Sequence, residues 1–454
     1  MASTPPKAPD GAHRVVIAGG GVAALEALLA LKALADDRVS VIVVAPDNIF
    51  RYRPLAVAEP FSLTVPRGAH LAEIVEEHGA EMVSTALASV DADKKIVFTA
   101  DGQDIPYDSL LVAVGARGGV TVPGALAYWD VADRGAFRDV VERLERGEID
   151  RLAFAVPAGV GWPLGLYELA LLTADRLGDS DDKLILVSPE VVPMAIFGGA
   201  ASDVVAGLLR DAGVKTRLGS APIRFEAGEL EIASGPPAKC EAVVSLPIPE
   251  APQIDGLPQD DRGLIQVGSV CQVLGLDDVY AAGDVTTFPI NQGGLATQAA
   301  DSAASAIAAV AGADVEPQAF RPMLRGAILT KWGPRYLRSQ APGKIGSASK
   351  NVLWWPPAKI AGRYLSPYLS ARAGYNIKAS ELIDLDPPGE EDATAPSPWL
   401  EDTVASVLNS ARTSAAAGQT ARALHYLEVA EDLAGYLPPC DEATRAELAA
   451  RRED

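Results

Sequence analysis

Six residues near the start of the chain have the spacing of a loop that binds a dinucleotide. Residues 19–24 read Gly-Gly-Gly-Val-Ala-Ala, which fits the pattern G-x-G-x-x-G/A, and they lie between an apolar run and a helical one. In this pattern Gly19 permits a tight turn, Gly21 lets a pyrophosphate approach the backbone, and the small Ala24 lets the helix pack on the strand. The N-terminus of the helix then attracts the anion. This loop, which also contains Gly20 and Ala23, predicts a dinucleotide site; the alternative is an ordinary strand-to-helix turn.

A glycine followed by an acid marks a second candidate position. Residues 279–284 read VYAAGD, a short strand ending in Gly283 and Asp284. A carboxylate here suits a hydrogen bond to the ribityl chain of a flavin. Further along, Gly293 and Gly294 open a helix predicted over residues 295–311, whose first N–H groups, that of Leu295 among them, can face the edge of a flavin ring. Alone, this pattern fits a plain turn equally well, but its pairing with the first loop favours a flavin site.

A second glycine loop follows in the middle of the chain. Residues 157–163 read PAGVGWP, between a strand predicted at 151–156 and a helix predicted at 164–177, and this order predicts a second Rossmann-like unit. The loop is a poor phosphate site, because Trp162 places bulk where a pyrophosphate meets the backbone and Pro163 removes an N–H from the helix start. We therefore predict that NAD(P)H binding is disfavoured here, while it stays an open alternative.

Cysteine and histidine offer little chemistry in this sequence. The three cysteines, Cys240, Cys271 and Cys440, are far apart and form no C-x-x-C pair, and the four histidines form no ligand pair. The sequence therefore predicts no disulfide framework and no metal site, which fits a reducing cytoplasm.

The charge of the chain excludes several partners. Its 454 residues carry a formal net charge of −21, which argues against nucleic acid as a partner and against docking on anionic lipid. No apolar run reaches the roughly 18 to 20 residues of a membrane span. Residues 1–13 are rich in Pro and Ala without an apolar signal region, so we expect a disordered start and a cytoplasmic protein.

The last third of the chain changes character twice. Residues 321–373 interleave Trp and Tyr with Lys and Arg, a pattern that suits a peripheral membrane or partner surface but that we assign to a domain packed on the flavin unit. Residues 386–398 form a Pro- and acid-rich linker. Residues 399–454 are rich in Ala with helical spacing of apolar residues, and we expect a helical tail that contributes to a homodimer.

Taken in order, these motifs resemble the flavoproteins built from two dinucleotide-binding domains: sulfide:quinone oxidoreductases, flavocytochrome c sulfide dehydrogenase flavin subunits and type II NADH dehydrogenases. The resemblance covers about residues 14–373 and implies an α/β fold with two Rossmann-like domains, a C-terminal domain and the helical tail. We assign residues 1–13 to the N-terminus, 14–150 and 271–315 to the FAD-binding domain, 151–270 to the second Rossmann-like domain, 316–386 to the C-terminal domain, and 387–454 to the linker and tail.

By this resemblance the cofactor is FAD, and further contacts are assigned to the segment after the second strand and to the turn after residues 107–114. The segment after the second strand contains Asp47, Arg53 and Pro54, and the turn contains Gly115 and Ala116. The ribose-binding acid that commonly ends the second strand is absent, since Ala45 and Pro46 come first.

The second unit resembles the sulfide branch most closely, with one departure. The redox cysteine of that branch falls on Trp162, so sulfide oxidation by persulfide chemistry is not expected, whereas Glu168 matches the family's Glu near the flavin. The resemblance links that Glu to quinone protonation, and here it could act as a buried acid or base. The alternative is a Glu that merely suits the start of its helix.

Three readings stay open at this point. The first is an FAD-dependent oxidoreductase of unknown substrate, with a quinone as acceptor by resemblance. The second is an NAD(P)H-dependent reductase of the NADH dehydrogenase or ferredoxin reductase type. The third is a flavin-binding interaction protein whose catalytic function is lost.

Overall fold

A five-stranded parallel sheet forms the first unit of the computed structural model, which describes residues 11–64, 68–178, 180–340, 346–374 and 381–384. Its strands, in spatial order, are Val279–Ala281, Ser109–Val112, His13–Ala18, Val39–Val44 and Glu81–Val83. The central strand is buried on both faces because its last four residues are all apolar, as a parallel sheet covered on two sides requires.

Helices cover one face of this first sheet, and an antiparallel meander with further segments covers the other. The helices are Val22–Ala35, Leu71–Glu77 and Gly293–Val310, with a 3-10 turn at Asp36–Arg38. The 3-10 segment Arg53–Phe61 packs on the second unit instead. On the other face lies an antiparallel meander of Leu87–Asp91, Ile96–Thr99 and Asp104–Pro106, and a small pair joins Ile49–Arg51 to Gly68–His70. Because the parallel strands share one direction, the loops after their carboxyl ends meet at one edge.

A second five-stranded parallel sheet repeats the plan. Its strands, in spatial order, are Leu126–Ala127, Ala242–Ser245, Leu152–Ala155, Leu184–Val187 and Lys215–Arg217. Its helices are Val131–Glu145, Leu164–Leu177 and Gly199–Asp211, with a 3-10 turn at Ala195–Phe197. An antiparallel extension contains Pro222–Glu226, Glu229–Ile232 and Ala238–Lys239. The α/β class and the two Rossmann-like units are thus confirmed.

The boundaries of the second unit differ from those predicted. The strand Leu126–Ala127 already pairs with Ala242–Ser245, so the second sheet begins ahead of residue 151. At the other end, Ile254 and Leu264 are buried against the first sheet, so the chain returns before residue 271. Two short strands, Arg117–Gly118 and Pro249–Glu250, pair where the chain crosses between the units. Glu81–Val83 pairs with the second strand of the first sheet, so the meander begins after it, at Leu87.

The C-terminal part of the described chain packs on both units. Its antiparallel sheet contains Leu324–Ile328, Arg335–Ser339 and Gly346–Ser349, and the pair Trp354–Trp355 with Ile383–Asp384 lies beside it. The sheet is buried against the second unit, whereas the helix Leu365–Arg372 packs on the first. No helix in the described ranges is long and apolar enough to cross a membrane. The predicted tail, residues 387–454, lies outside the described residues.

Candidate active site

The first glycine loop combines two packed glycines with one open glycine. Gly19 has a φ of +134°, and a Cβ built there would lie 2.1 Å from the carbonyl oxygen of Ala113. A Cβ at Gly20 would lie 2.4 Å from a methyl group of Leu71. At Gly21 no atom of the described chain lies within 4 Å of the Cβ position, and the residue is exposed. The loop therefore leaves open the position where a pyrophosphate must approach the backbone.

The helix that follows presents its N-terminus to this open space. Gly21 is its N-cap residue, and no side chain caps it. The first four N–H groups of a helix have no partner inside the helix, so they point toward whatever occupies the space beyond. Behind them, Ala23 and Ala24 are buried, and the Cβ position of Gly283 lies only 3.4 Å from the Cβ of Ala23. Small side chains thus let the Gly283 turn approach the glycine loop.

Asp284 extends this edge with a half-buried carboxyl group. Burial raises the pKa of Asp284, while the positive charge of Arg53 and a hydrogen bond with Asn291 lower it. The guanidinium of Arg53 lies 5.1 Å from the ring centre of Trp129 and 3.7 Å from the Asp130 carboxylate. The Asp284 carboxyl group and the Arg53 guanidinium together suit a ligand that carries several polar groups along a chain.

The remaining predicted contacts lie around the same sheet edge. Gly115 has a φ of +70° with open space at its Cβ position, and Ala116 is half-buried beside it. Asp47 is exposed beyond the second strand, and Pro54 lies in the first turn of the 3-10 segment Arg53–Phe61.

One of the predicted N–H donors is already occupied. The helix Gly293–Val310 begins two residues earlier than predicted, and Gln292 caps it: the N–H of Leu295 donates to Gln292 Oε1 at 2.7 Å. That amide is therefore closed to a cofactor, which corrects the prediction for Leu295. A Cβ at Gly293 would lie 2.9 Å from Ile360, so a C-terminal segment covers the start of this helix.

Glu168 forms a buried ion pair next to that segment. Its side chain is 2% exposed, and Lys359 Nζ donates to its two oxygens at 2.6 and 2.7 Å. The N–H of Leu329 donates to Glu168 Oε1 at 2.9 Å. Burial raises the pKa of Glu168, and the Lys359 charge opposes that rise. One residue further on, the N–H of Ile360 donates to the Tyr52 hydroxyl at 2.8 Å, and the Ile360 side chain lies against Gly293, so the ion pair is next to the start of that helix. Neither Lys359 nor Tyr52 could be found from local sequence.

The second glycine loop is closed by protein atoms. A Cβ at Gly161 would lie 1.8 Å from the carbonyl oxygen of Pro289, so this glycine serves a contact between backbones. Trp162 packs on Phe197 with ring centres 5.7 Å apart. Pro163 is the N-cap of the following helix, which has no side-chain cap.

The acid at the end of the next strand is also engaged internally. Glu190 follows the strand Leu184–Val187, the place where nucleotide-binding folds carry a ribose-binding acid. Here the Tyr167 hydroxyl donates to Glu190 Oε2 at 2.6 Å, and the N–H of Ala195 donates to Oε1 at 3.2 Å. Burial raises the pKa of Glu190 to about 7. Sequence reasoning missed this residue, although its position after the strand was a usable signal.

The thiols lack the environment that redox chemistry requires. Cys240 and Cys271 are free and buried, and burial raises the pKa of each to about 12. A thiolate is the reactive form, and at neutral pH neither residue supplies one. Cys440 lies outside the described residues. Within the described residues no group of His, Cys, Asp and Glu has the arrangement of a metal site.

Much of the basic and aromatic stretch near the C-terminus is internal. Arg325 and Arg338 are buried and share the carboxylate of Asp384, with nitrogen–oxygen distances of 3.0 and 3.5 Å. Trp354 is fully buried, and its indole N–H donates to the Ala358 carbonyl oxygen at 3.0 Å. Trp332, at the tip of the hairpin, is 65% exposed.

Comparison with known proteins places this geometry in a family. A family model described as pyridine nucleotide-disulphide oxidoreductase matches residues 13–309. Monodehydroascorbate reductase 4 of Arabidopsis thaliana is 27% identical over 309 residues, covering 61% of this chain and 60% of the relative. An NADH dehydrogenase-like protein of Mycobacterium tuberculosis is 28% identical over 295 residues, covering 60% of this chain and 72% of the relative.

A solved structure resembles most of the chain in fold. The sulfide:quinone oxidoreductase of Aquifex aeolicus superposes with a TM-score of 0.69 at 15% identity, covering 85% of this chain and 99% of that one. The chain spans about 60% of the length of the Arabidopsis relative. The matched residues of the family model include both glycine loops and the turn at Asp284. The chain therefore belongs to the pyridine nucleotide-disulphide oxidoreductase family.

Proposed function

We propose that the protein oxidises a small-molecule reductant other than NAD(P)H and passes the electrons to a quinone. The observation that carries the first half is the closed second loop, in which Pro289 lies against Gly161. A nicotinamide dinucleotide would have to displace this backbone contact and the Trp162 ring. The acceptor is proposed by likeness to the sulfide:quinone oxidoreductase, whose fold covers nearly the same span.

The residues of the first unit fit FAD. The open side of Gly21 and the uncapped helix start suit a pyrophosphate, and the half-buried Asp284 carboxyl suits a ribityl hydroxyl. Gly293 at the second helix start is half-buried beside Ile360, and this position suits the ring edge where negative charge develops on reduction. When bound, FAD supplies the capacity to accept and release two electrons.

The chain's own contribution to quinone reduction is proton supply. Reducing a quinone to a quinol consumes two protons as well as two electrons. Lys359 Nζ is a donor beside the covered helix start, and the Glu168 carboxylate lies 2.6 Å behind it and holds the ammonium group in place. We propose Lys359 as the proton donor, which takes a new proton from solvent after each transfer, and Glu168 as the carboxylate that keeps it charged and positioned.

Sulfide oxidation through cysteine is not part of the proposal. The position that the resemblance gives to the redox cysteine is Trp162, and both described thiols are buried and protonated. The physiological reductant must therefore react without a protein thiol from the described chain.

Anaerobic rapid mixing of the purified full-length protein tests the reductant. We expect NADH and NADPH to bleach the flavin absorbance more slowly than about 10 s⁻¹, a median enzyme turnover. Dithionite should reduce it fully, and a soluble short-chain quinone should then reoxidise it. Faster bleaching by either nucleotide favours the NAD(P)H reductase reading. Failure of every tested acceptor to reoxidise the protein favours the interaction-protein reading; either result overturns the proposal.

Comparing a quinone with ferricyanide as the electron acceptor tests the proposed proton supply. Glu168→Gln should slow the reduction of quinone at least tenfold while the reduction of ferricyanide, which takes no proton, stays near the wild-type rate. Since this change leaves Lys359 without its partner, it can destabilise the fold by about 3–5 kcal/mol. The double variant Glu168→Gln/Lys359→Met removes both charges, so no buried charge is left unpaired. It should also reduce quinone at least tenfold more slowly while it reduces ferricyanide at nearly the wild-type rate. If the rates with both acceptors fall equally, the proposed proton supply is wrong.

A further inference from the structure

A pair of carboxyl groups lies in the interface between the two helices that begin at the FAD loops. Glu26 belongs to Val22–Ala35 and is fully buried, and Asp301 belongs to Gly293–Val310. Their side chains are hydrogen-bonded to each other. Two carboxylates in contact away from water cannot both be ionised at a modest cost, so the pair retains a proton.

The hydrogen bonds indicate which acid carries the proton. Glu26 Oε1 accepts from the N–H of Tyr364 at 2.7 Å, and Glu26 Oε2 accepts from the N–H of Leu365 at 2.8 Å. Two backbone donors favour the ionised form of Glu26. Asp301 Oδ1 is buried without a hydrogen-bond partner among the described residues. Asp301 is thus the protonated member, and it donates to Glu26.

The same contacts hold a C-terminal strap, defined here as residues 359–366. A Cβ at Gly362 would lie 2.4 Å from Glu26 Oε2, so the strap passes directly over the acid pair. Inside the strap, the Ser366 hydroxyl donates to the Ile360 carbonyl oxygen and accepts from the N–H of Gly362, at 2.5 and 2.8 Å. The other end of the strap carries Lys359 and Ile360, which lie beside Glu168 and the helix start at Gly293.

We infer that the proton shared by Glu26 and Asp301 locks the strap onto the two FAD-binding helices and so positions Lys359 and Ile360 beside the cofactor. Its link to electron transfer rests on the proposed function. Loss of the proton places a second negative charge against Glu26, and mutual repulsion then loosens the strap. Glu26 and Asp301 are positioning residues, because they act through the strap.

Few other charges face the pair. Arg363 attracts the ionised form of Asp301, but its guanidinium is half-exposed and is bonded to Glu381 at 2.8 Å. Tyr364 presents a phenol whose pKa is raised, first by burial. Burial also raises the pKa of Glu26, to about 7, and that of Asp301 further above its usual range. The lock is therefore closed at low pH, and it opens as pH rises through the pKa of the pair.

Amide hydrogen exchange of the strap in the full-length FAD-loaded protein tests the lock. Exchange rates are corrected for base catalysis at each pH. Between about pH 6 and pH 9 the wild type should lose strap protection, by up to about tenfold for each pH unit above the pKa at which the pair gives up its proton. Asp301→Asn places a permanent N–H donor against Glu26 and should keep the strap protected across this range.

Two further variants complete the design. Glu26→Gln replaces one acceptor by a donor and should lower strap protection at every pH. Glu77→Gln removes an exposed acid that bonds Tyr368 and Arg372 of the adjoining helix, and it should leave the pH response unchanged. If Asp301→Asn loses protection with pH as the wild type does, the lock is overturned. The readout involves no electron transfer, so failure of the quinone proposal leaves it intact.

Discussion

The two glycine loops have similar sequences and opposite surroundings. At Gly21 a Cβ would meet no described atom within 4 Å, whereas at Gly161 it would lie 1.8 Å from the Pro289 carbonyl oxygen. In the first loop glycine leaves space for a ligand, and in the second it lets another segment of the protein approach. A glycine pattern therefore records that something comes close to the backbone, and the structure decides whether that is a cofactor or the chain itself.

The acids that follow the loops continue the contrast. Asp284, at the first unit's edge, is half-buried and faces the exposed guanidinium of Arg53. Glu190, in the second unit, is bonded to Tyr167 and to the N–H of Ala195. The acid of the first unit is half-buried near an exposed cation, whereas the acid of the second unit is bonded to two groups of its own unit. Two units of one architecture therefore surround the acid after a strand differently.

The sharpest way to break this contrast is to substitute the two glycines. Gly21→Asp should abolish FAD binding, because it places a carboxylate against the pyrophosphate, while the fold of the apoprotein survives since the site is open. Gly161→Ala should instead destabilise the protein with or without FAD, since its Cβ cannot fit without moving the 289–290 backbone. Flavin content by absorbance and unfolding of apo and FAD-loaded protein in urea measure both effects.

Opposite outcomes are informative. If Gly161→Ala leaves the stability of the apoprotein unchanged, the Pro289 backbone does not lie tightly against Gly161. If Gly21→Asp retains FAD, the first loop does not hold the pyrophosphate.

A second prediction asks whether the closed loop can be opened by one change. Trp162→Ala removes a half-buried ring from Phe197, and we expect a loss of about 2–4 kcal/mol in the free energy of unfolding. NADH and NADPH should stay poor reductants, because the Gly161 contact and the internal bonds of Glu190 remain. Stopped-flow reduction beside the wild type measures this, and a tenfold gain in rate shows that Trp162 alone closes the loop.

Local sequence patterns predicted the helices and strands well, but they did not predict which distant side chains contact each other. The helix Leu164–Leu177 has the predicted bounds, and the central strand ends where the glycine loop begins, because both follow from apolar runs and turn residues. Glu168 was identified, but its partner Lys359 lies 191 residues away, and no local pattern pairs them.

The buried acids left a fainter signal. Glu26 is the one acid of the apolar helix Val22–Ala35, and Asp301 is the one acid of Gly293–Val310. A charged residue in a run that must be buried implies a partner, yet only the packed helices show that the partner is another acid. The Gln292 cap on Leu295 was missed for a similar reason: the sequence shows where a helix starts but not which of its N–H groups are already used.

The smallest predicted effect is the contribution of Glu190 to the pH dependence of stability. The pKa of Glu190 in the folded protein is raised to about 7 by burial, above its value in the unfolded chain. The folded state therefore holds the proton more tightly, and this contribution to stability is complete in acid and is lost as pH rises toward 7. A pKa shift of this size corresponds to about 3 kcal/mol for a fully buried group, and we expect about 1–2 kcal/mol because Glu190 is partly exposed.

The free energy of unfolding of the wild type should therefore fall between about pH 5 and pH 8, and in Glu190→Gln that fall should be smaller by about 1–2 kcal/mol. Glu229→Gln, an exposed acid of the same unit, should leave the slope unchanged. Urea unfolding at the two pH values measures the difference, and equal slopes in all three proteins show that Glu190 is open to solvent as a ribose-binding acid must be.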